Sequence, residues 1–211
     1  MKVTKHEHAC LVVEKGGSVL VVDPGSYTMP LGDLIDVVAV VITHEHADHW
    51  TPEQLTRILD RSPDARILGP AGVAAAATGF AVEVVKHGDE IAVEPFELKF
   101  FGEKHALIHE SIPVVDNVGV LVDDELYYGG DSYTVPPVAV GTLAAPIGAP
   151  WLKIGEAMDY VLAVAPKRAF PTHEAPLSQI GKTMANARIE AMTQRGGGAF
   201  FPLEPGESLE L

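Results

Sequence analysis

The feature that most constrains this chain is an apolar strand that runs straight into a cluster of metal-binding side-chain types. Val37 to Thr43 is an almost unbroken run of apolar, mostly β-branched residues, as suits a central strand covered on both faces. Directly after it, Thr43-His44-Glu45-His46-Ala47-Asp48-His49-Trp50 brings three imidazoles and the Asp48 carboxylate together. Thr51-Pro52-Glu53-Gln54 then has an N-cap threonine, a proline at the first helical position and a glutamine three residues after the cap, so a helix is expected over 52–60. Alternation at the extended strand end puts His44 and His46 on one side and Glu45 on the other. As the chain turns into the helix, Asp48 and His49 point in a new direction. One segment can therefore offer a pair of ligands to each of two neighbouring metal ions, and nitrogen with oxygen donors suits zinc, manganese or iron. A solvated histidine-rich loop would not need this spacing after a buried strand.

The other elements are legible by periodicity. Ala9 to Val13 and Ser18 to Val22 read as a hairpin joined through Lys15-Gly16-Gly17. Further strands are expected over 66–68, 81–85, 91–93, 96–101, 118–122, 126–128, 139–143 and 169–171. Helices are expected over 71–77, 152–164 and 179–195, the last ended by Gly196 to Gly198. Two halves rich in strands, each carrying helices, suggest an α/β fold with packed sheets and helices outside. With 211 residues, 47% of them apolar, and no linker, the chain is expected to form one domain, residues 1–211.

Composition narrows the function. Lys2, Lys5, Glu7 and Glu14 interrupt any apolar run at the start, and the single Cys10 cannot form an internal disulfide, so a cytoplasmic protein with no membrane segment is expected. A formal net charge of -14 disfavours nucleic-acid binding, which rests on lysine and arginine displacing counterions. A small-molecule substrate is expected, and an anionic one stays compatible because bound cations would offset local negative charge. Oligomeric state is not legible.

The His44-to-His49 segment resembles the His-x-His-x-Asp-His signature of the metallo-β-lactamase superfamily. Other landmarks of that family follow in order: Val21-Val22-Asp23-Pro24-Gly25, Gly129-Gly130-Asp131-Ser132 and Pro171-Thr172-His173. The resemblance implies a four-layer αββα sandwich of two mixed β-sheets flanked by helices, and two divalent ions, zinc first and manganese or iron next. It assigns His44, His46 and one histidine of Lys104-His105-Ala106-Leu107-Ile108-His109 to the first ion, and Asp48, His49 and His173 to the second, with Asp131 between them. His105, nearer the preceding strand, ranks ahead of His109, which then reads as a residue behind the ligands or facing substrate. Asp23 is a residue behind the ligands at most. His8, in Glu7-His8-Ala9-Cys10, resembles a Gly-His-Ala stretch of the branch that includes ascorbate-phosphate lactonase, with Glu7 in place of the usual glycine.

The activity implied is hydrolysis of a small ester, lactone or phosphodiester by a hydroxide bridging the two metals, with Asp48 and Asp131 as the catalytic carboxylates. Members that are true β-lactamases lack the bridging aspartate, and oxygen-reducing diiron members usually carry glutamate where this chain has His46. Trp151 reads either as a substrate wall or as a core anchor. The competing readings are a non-catalytic metal-binding or regulatory protein on the same fold, and a nuclease member of the superfamily.

Overall fold

The alternation of apolar side chains along the first strands assigns each face of the sheet to a different core. In the computed structural model, which describes residues 1–211, strands β1 (Lys2–Lys5), β2 (Leu11–Lys15), β3 (Ser18–Val22) and β4 (Val37–Val41) lead into helix α1 (Pro52–Arg61). Strand β5 (Arg66–Gly69), helix α2 (Ala71–Ala76) and strand β6 (Val82–Val84) complete the first half. Leu11, Val13, Leu20, Val22, Ala39 and Val41 face a central core, whereas Val12, Val21 and Val40 face a second core with Leu55 and Ile58 of α1 and Val73 of α2. That division is the period-2 side-chain alternation of strands.

The second half repeats the plan. Strands β7 (Glu90–Val93), β8 (Phe96–Phe101), β9 (Gly119–Val122), β10 (Leu126–Tyr128) and β11 (Thr142–Pro146) precede helix α3 (Ile154–Val164). Strand β12 (Arg168–Thr172), helix α4 (Gln179–Arg195) and the short strands β13 (Ala199–Phe200) and β14 (Ser208–Glu210) follow. Phe96, Leu98, Phe100, Val120, Tyr128 and Phe170 join the central core. Leu121, Tyr127 and Leu143 instead pack on Tyr160 and Val161 of α3 and Ala185 and Ile189 of α4. The result is the four-layer αββα sandwich: helices, sheet, sheet, helices.

The two sheets have seven strands each, in the orders β14-β1-β2-β3-β4-β5-β6 and β13-β12-β11-β10-β9-β8-β7. Both are mixed. β2 and β3 form the antiparallel hairpin through Gly16 and Gly17, while β3, β4, β5 and β6 run parallel; β7 to β10 are antiparallel and β10 to β13 parallel. The C-terminal ends of β3, β4, β10 and β12 therefore meet at one edge of the sandwich, the usual place for a site in open α/β sheets. No helix is long and apolar enough to cross a membrane.

The structure corrects several boundaries. The strand expected over 139–143 starts at Thr142, where pairing with Leu126 begins, and runs to Pro146. The hairpin's first strand begins at Leu11, because His8 takes a left-handed φ of 63° and breaks the extended chain. Gln54 does not complete a capping box: Thr51 accepts from its backbone N–H, but its side chain bonds the 28–31 backbone and ties α1 to the loop after β3. Strands β1, β13 and β14 were not expected at all. β1 even turns the ammonium of Lys5 inward, fully buried and 2.5 Å from Glu174 Oε1.

Burial pushes the Lys5 ammonium down from its ordinary range, against the pull of the Glu174 charge. Removing one member of such a pair strands the other. Glu174→Ala is expected to cost about 3–5 kcal/mol in urea unfolding, whereas Lys5→Met combined with Glu174→Leu should recover most of that loss. A single variant as stable as the native chain would contradict the burial of this pair.

Candidate metal centre

The centre is organised from behind by a carboxylate that faces away from it. Asp23 ends β3 in a left-handed conformation, φ 47°, and is fully buried. Its Oδ1 accepts the Thr43 N–H at 2.7 Å, and its Oδ2 accepts both the Thr43 hydroxyl at 2.6 Å and His49 Nδ1–H at 2.7 Å. Because the Thr43 hydroxyl donates to Asp23, it can only accept from His44, whose Nδ1 lies 3.1 Å away. One carboxylate thus fixes the tautomer of two imidazoles on the strand-to-helix segment and turns both Nε2 atoms toward the centre.

Backbone carbonyls do the same for the histidines that come from afar. His105 Nδ1 donates to Ala106 O at 2.5 Å, and His173 Nδ1 donates to Gly148 O at 2.6 Å. His173 and His8 share the unusual φ of 63°, and His173 N donates to His8 O. Left-handed φ at three non-glycine residues around one point is strain of order 1–3 kcal/mol each, held by the surrounding packing.

Two sets of donor atoms result, each gathered within 4.8 Å: His44, His46 and His105 in one, and His8, Asp48, His49 and His173 in the other. His44 Nε2 is 3.1 Å from His46 Nδ1, and His49 Nε2 is 3.3 Å from His173 Nε2. Asp48 Oδ2 stands 3.8 Å from His49 Nε2, 3.7 Å from His173 Nε2 and 3.1 Å from His8 Nε2. Asp131 lies between the sets. Its Oδ1 is 3.2 and 3.1 Å from the Nε2 atoms of His49 and His173, and its Oδ2 is 3.3 Å from that of His105.

These residues fit divalent cations. Lone pairs on nitrogens this close repel unless a positive charge lies between them, and His105 Nε2 and Asp131 Oδ1 are buried with no hydrogen-bond partner. Charge agrees. Burial alone would raise Asp131, but the His49 and His173 imidazoles hold it well below the usual carboxylate range. Burial, seconded by the His49 charge, keeps His44 neutral by lowering it well below its ordinary value. Against burial, the Asp131 and Asp23 carboxylates raise His49 well above its ordinary value, so the pocket favours positive charge at this imidazole.

His44, His46, Asp48, His49, His105, Asp131 and His173 are thus brought to one point, as the family resemblance implies. His109 is not. A bridge between Lys104 and Asp116, with His105 N donating to Val115 O, pins the base of the 105–116 loop and leaves His109 exposed near its tip, bonded to Ser111. His8 lies closer in than its motif alone indicates, its ring 3.8 Å from that of His173 and tilted 48° to it. Glu7, standing where glycine is usual, reaches Met29 N in the neighbouring loop.

Three supports have weak signals or none in the sequence. Asn117 clamps the turn before Asp131, donating to Gly129 O and accepting from Asp131 N. Gly130 has φ 62°, and a Cβ there would fall 2.5 Å from Asn117 Oδ1. At Gly25 a Cβ would fall 1.8 Å from Asp48 O, so the loop after β3 can lie on the backbone of Asp48 and His49 only without a side chain. The Pro24-Gly25 pair signals the turn but not that contact.

A profile of the β-lactamase superfamily domain matches residues 2–173, and the chain belongs to that superfamily. Protein Rv0786c of Mycobacterium tuberculosis is 36% identical over 198 residues, covering 92% of this chain and 93% of that one. The UPF0173 metal-dependent hydrolase Bcer98_3294 of Bacillus cytotoxicus is 30% identical over 105 residues, 48% of this chain and 34% of its own. Among solved structures, Igni18, a metallo hydrolase from Ignicoccus hospitalis, superposes with a TM-score of 0.74 at 20% identity over 100% of this chain and 98% of that one, a likeness of fold.

Asp23→Ala is expected to weaken cation binding about 10–100-fold, as loss of an outer hydrogen-bond partner does, read by competition with a chromophoric chelator. His105→Ala should lose at least as much and His109→Ala nothing. Equal losses at His105 and His109 would contradict the loop geometry.

Proposed function

We propose that the chain, acting as one domain, is a metal-dependent hydrolase that uses two divalent cations to cleave a small ester, lactone or phosphodiester. His44, His46 and His105 would hold one cation, Asp48, His49 and His173 the other, and Asp131 would bridge them. Zinc is the first choice, with manganese and iron compatible with the same donors. The observation that carries this reading is the Asp131 carboxylate, which turns one oxygen to each set of imidazoles. The printed names of the Bacillus relative and of Igni18, a metal-dependent hydrolase and a metallo hydrolase, agree with it.

Bound at such a site, paired cations supply Lewis acidity and a hydroxide nucleophile at neutral pH, lowering the pKa of water to roughly 7. The residues of the chain supply the rest. Asp48, like His46, is a donor with an exposed edge, its side chain 26% accessible, and its Oδ2 accepts from His8 Nε2. Although burial opposes it, the hydrogen bond from His8 and the His49 charge hold the Asp48 carboxyl below its ordinary range, so it waits as a carboxylate. We assign the Asp48 carboxylate to take up the proton released by the attacking water and pass it to the leaving group, with His8 holding the carboxylate in place.

Beside the centre lies a cavity of about 530 Å³, lined by Trp151, Tyr133, Leu107, Lys104 and Lys153 among others. Its size suits a small molecule; Lys104 is paired with Asp116 and Glu156 shares the lining with Lys153, so the wall is of mixed charge. The same placement makes Trp151 part of a substrate wall. A nuclease role is disfavoured by the net charge of -14.

The test is a hydrolysis screen against bis-p-nitrophenyl phosphate and simple lactones. Turnover should vanish on chelation and return with zinc or manganese. Asp48→Asn should retain cations but lose about 10²–10⁴-fold in turnover, the range typical of a general acid or base. Full activity in Asp48→Asn would refute the proton relay, and tight cation retention with silence on every substrate would favour a binding protein.

A further inference from the structure

The indole of Trp151 is the one hydrogen-bond donor aimed at the carboxylate between the two donor sets, and it takes only one of the two oxygens. Trp151 follows the turn after β11 and is nearly buried, 7% exposed. Its Nε1–H donates to Asp131 Oδ2 at 2.7 Å, a charge-assisted bond. The ring is held there by edge contacts with Tyr133 at 5.2 Å, His105 at 5.9 Å and His173 at 6.1 Å. It therefore spans both donor sets while bonding one oxygen.

The two oxygens of Asp131 are left unequal. Oδ1, which faces His49 and His173, has no hydrogen-bond partner and keeps its full donor capacity. Oδ2, which faces His105 at 3.3 Å and His44 at 4.0 Å, shares its electron density with an N–H that cannot ligate a cation. Charge adds to the difference: the set containing His49 also has the Asp48 carboxylate, whereas His44, His46 and His105 bring only imidazoles.

We infer that Trp151 makes the two cation positions unequal, its indole N–H weakening the position at His44, His46 and His105 so that the one at Asp48, His49 and His173 fills first. This rests on the two-cation reading. In this role Trp151 is a positioning residue that acts through Asp131, separate from its place in the cavity wall. Trp151→Phe keeps an aromatic ring for the edge contacts and removes the donor.

The experiment is a zinc titration of the chelator-stripped full chain against a chromophoric competitor, with the indole N–H signals followed by NMR after ¹⁵N-tryptophan labelling. Only Trp50 and Trp151 contribute, and the variant identifies the signal of Trp151. The native chain should bind two zinc ions in steps at least about tenfold apart, and the Trp151 signal should move mainly with the second. Trp151→Phe should narrow the gap at least threefold by tightening the weaker step, leaving the tighter one unchanged. Two equal steps in the native chain, an unchanged gap in the variant, or a Trp151 signal that moves with the first ion would overturn the inference and leave the two-cation reading standing. One zinc per chain in both proteins would overturn both. If Trp151→Phe does not fold, Trp50→Phe identifies the Trp151 signal and the native titration decides.

Discussion

Everything at the centre leans on the buried carboxylate of Asp23, which points away from the proposed cations. Its oxygens take three hydrogen bonds from Thr43 and His49, and through the Thr43 hydroxyl they reach His44. Those bonds join β3 to the end of β4 and set the proton position on one imidazole of each donor set. A histidine free to choose its tautomer would present a lone pair only part of the time. The ligands on the His44-to-His49 segment are thus aimed before any cation arrives, which is what outer-shell partners contribute to a metal site.

That arrangement is possible because the sandwich collects strand ends at one edge. β3 leads into Asp23, β4 into the histidine segment, β10 into the turn to Asp131, and β12 into His173. Close backbone approach then sets the spacing. Gly25 lets the loop after β3 rest on Asp48 and His49, Gly130 lets the Asp131 turn pass Asn117 and Thr43, and Ala106 N donates to Asp131 O. The donors sit in loops at strand ends that these contacts pin in place, and the exposed residues Tyr27, Met29 and Leu107 lie on loops near or following the ligands.

Much of this was legible in the sequence, for physical reasons that differ by element. β4 and the following histidines were plain because burial on both faces demands a continuous apolar run and metal ligation demands a narrow set of side chains. Two strand-rich halves carrying helices indicated packed sheets with helices outside, and the family resemblance implied the four layers. β1 was hidden because Lys5 is a charged residue at a buried position, and its ion-pair partner Glu174 is distant in sequence. β13 and β14 are two and three residues long and owe their existence to the neighbours they pair with. The choice between His105 and His109 turned on a bridge from Lys104 to Asp116 that no local pattern encodes, and the bond from Trp151 to Asp131 joins residues brought together only by the fold.

The central claim is that seven side chains hold two divalent cations with Asp131 between them. Anomalous diffraction at the zinc edge from crystals of the zinc-loaded chain tests it directly. The account predicts two peaks beside Asp131, one among His44, His46 and His105 and one among Asp48, His49 and His173. A single peak at full loading, or peaks away from Asp131, would contradict it.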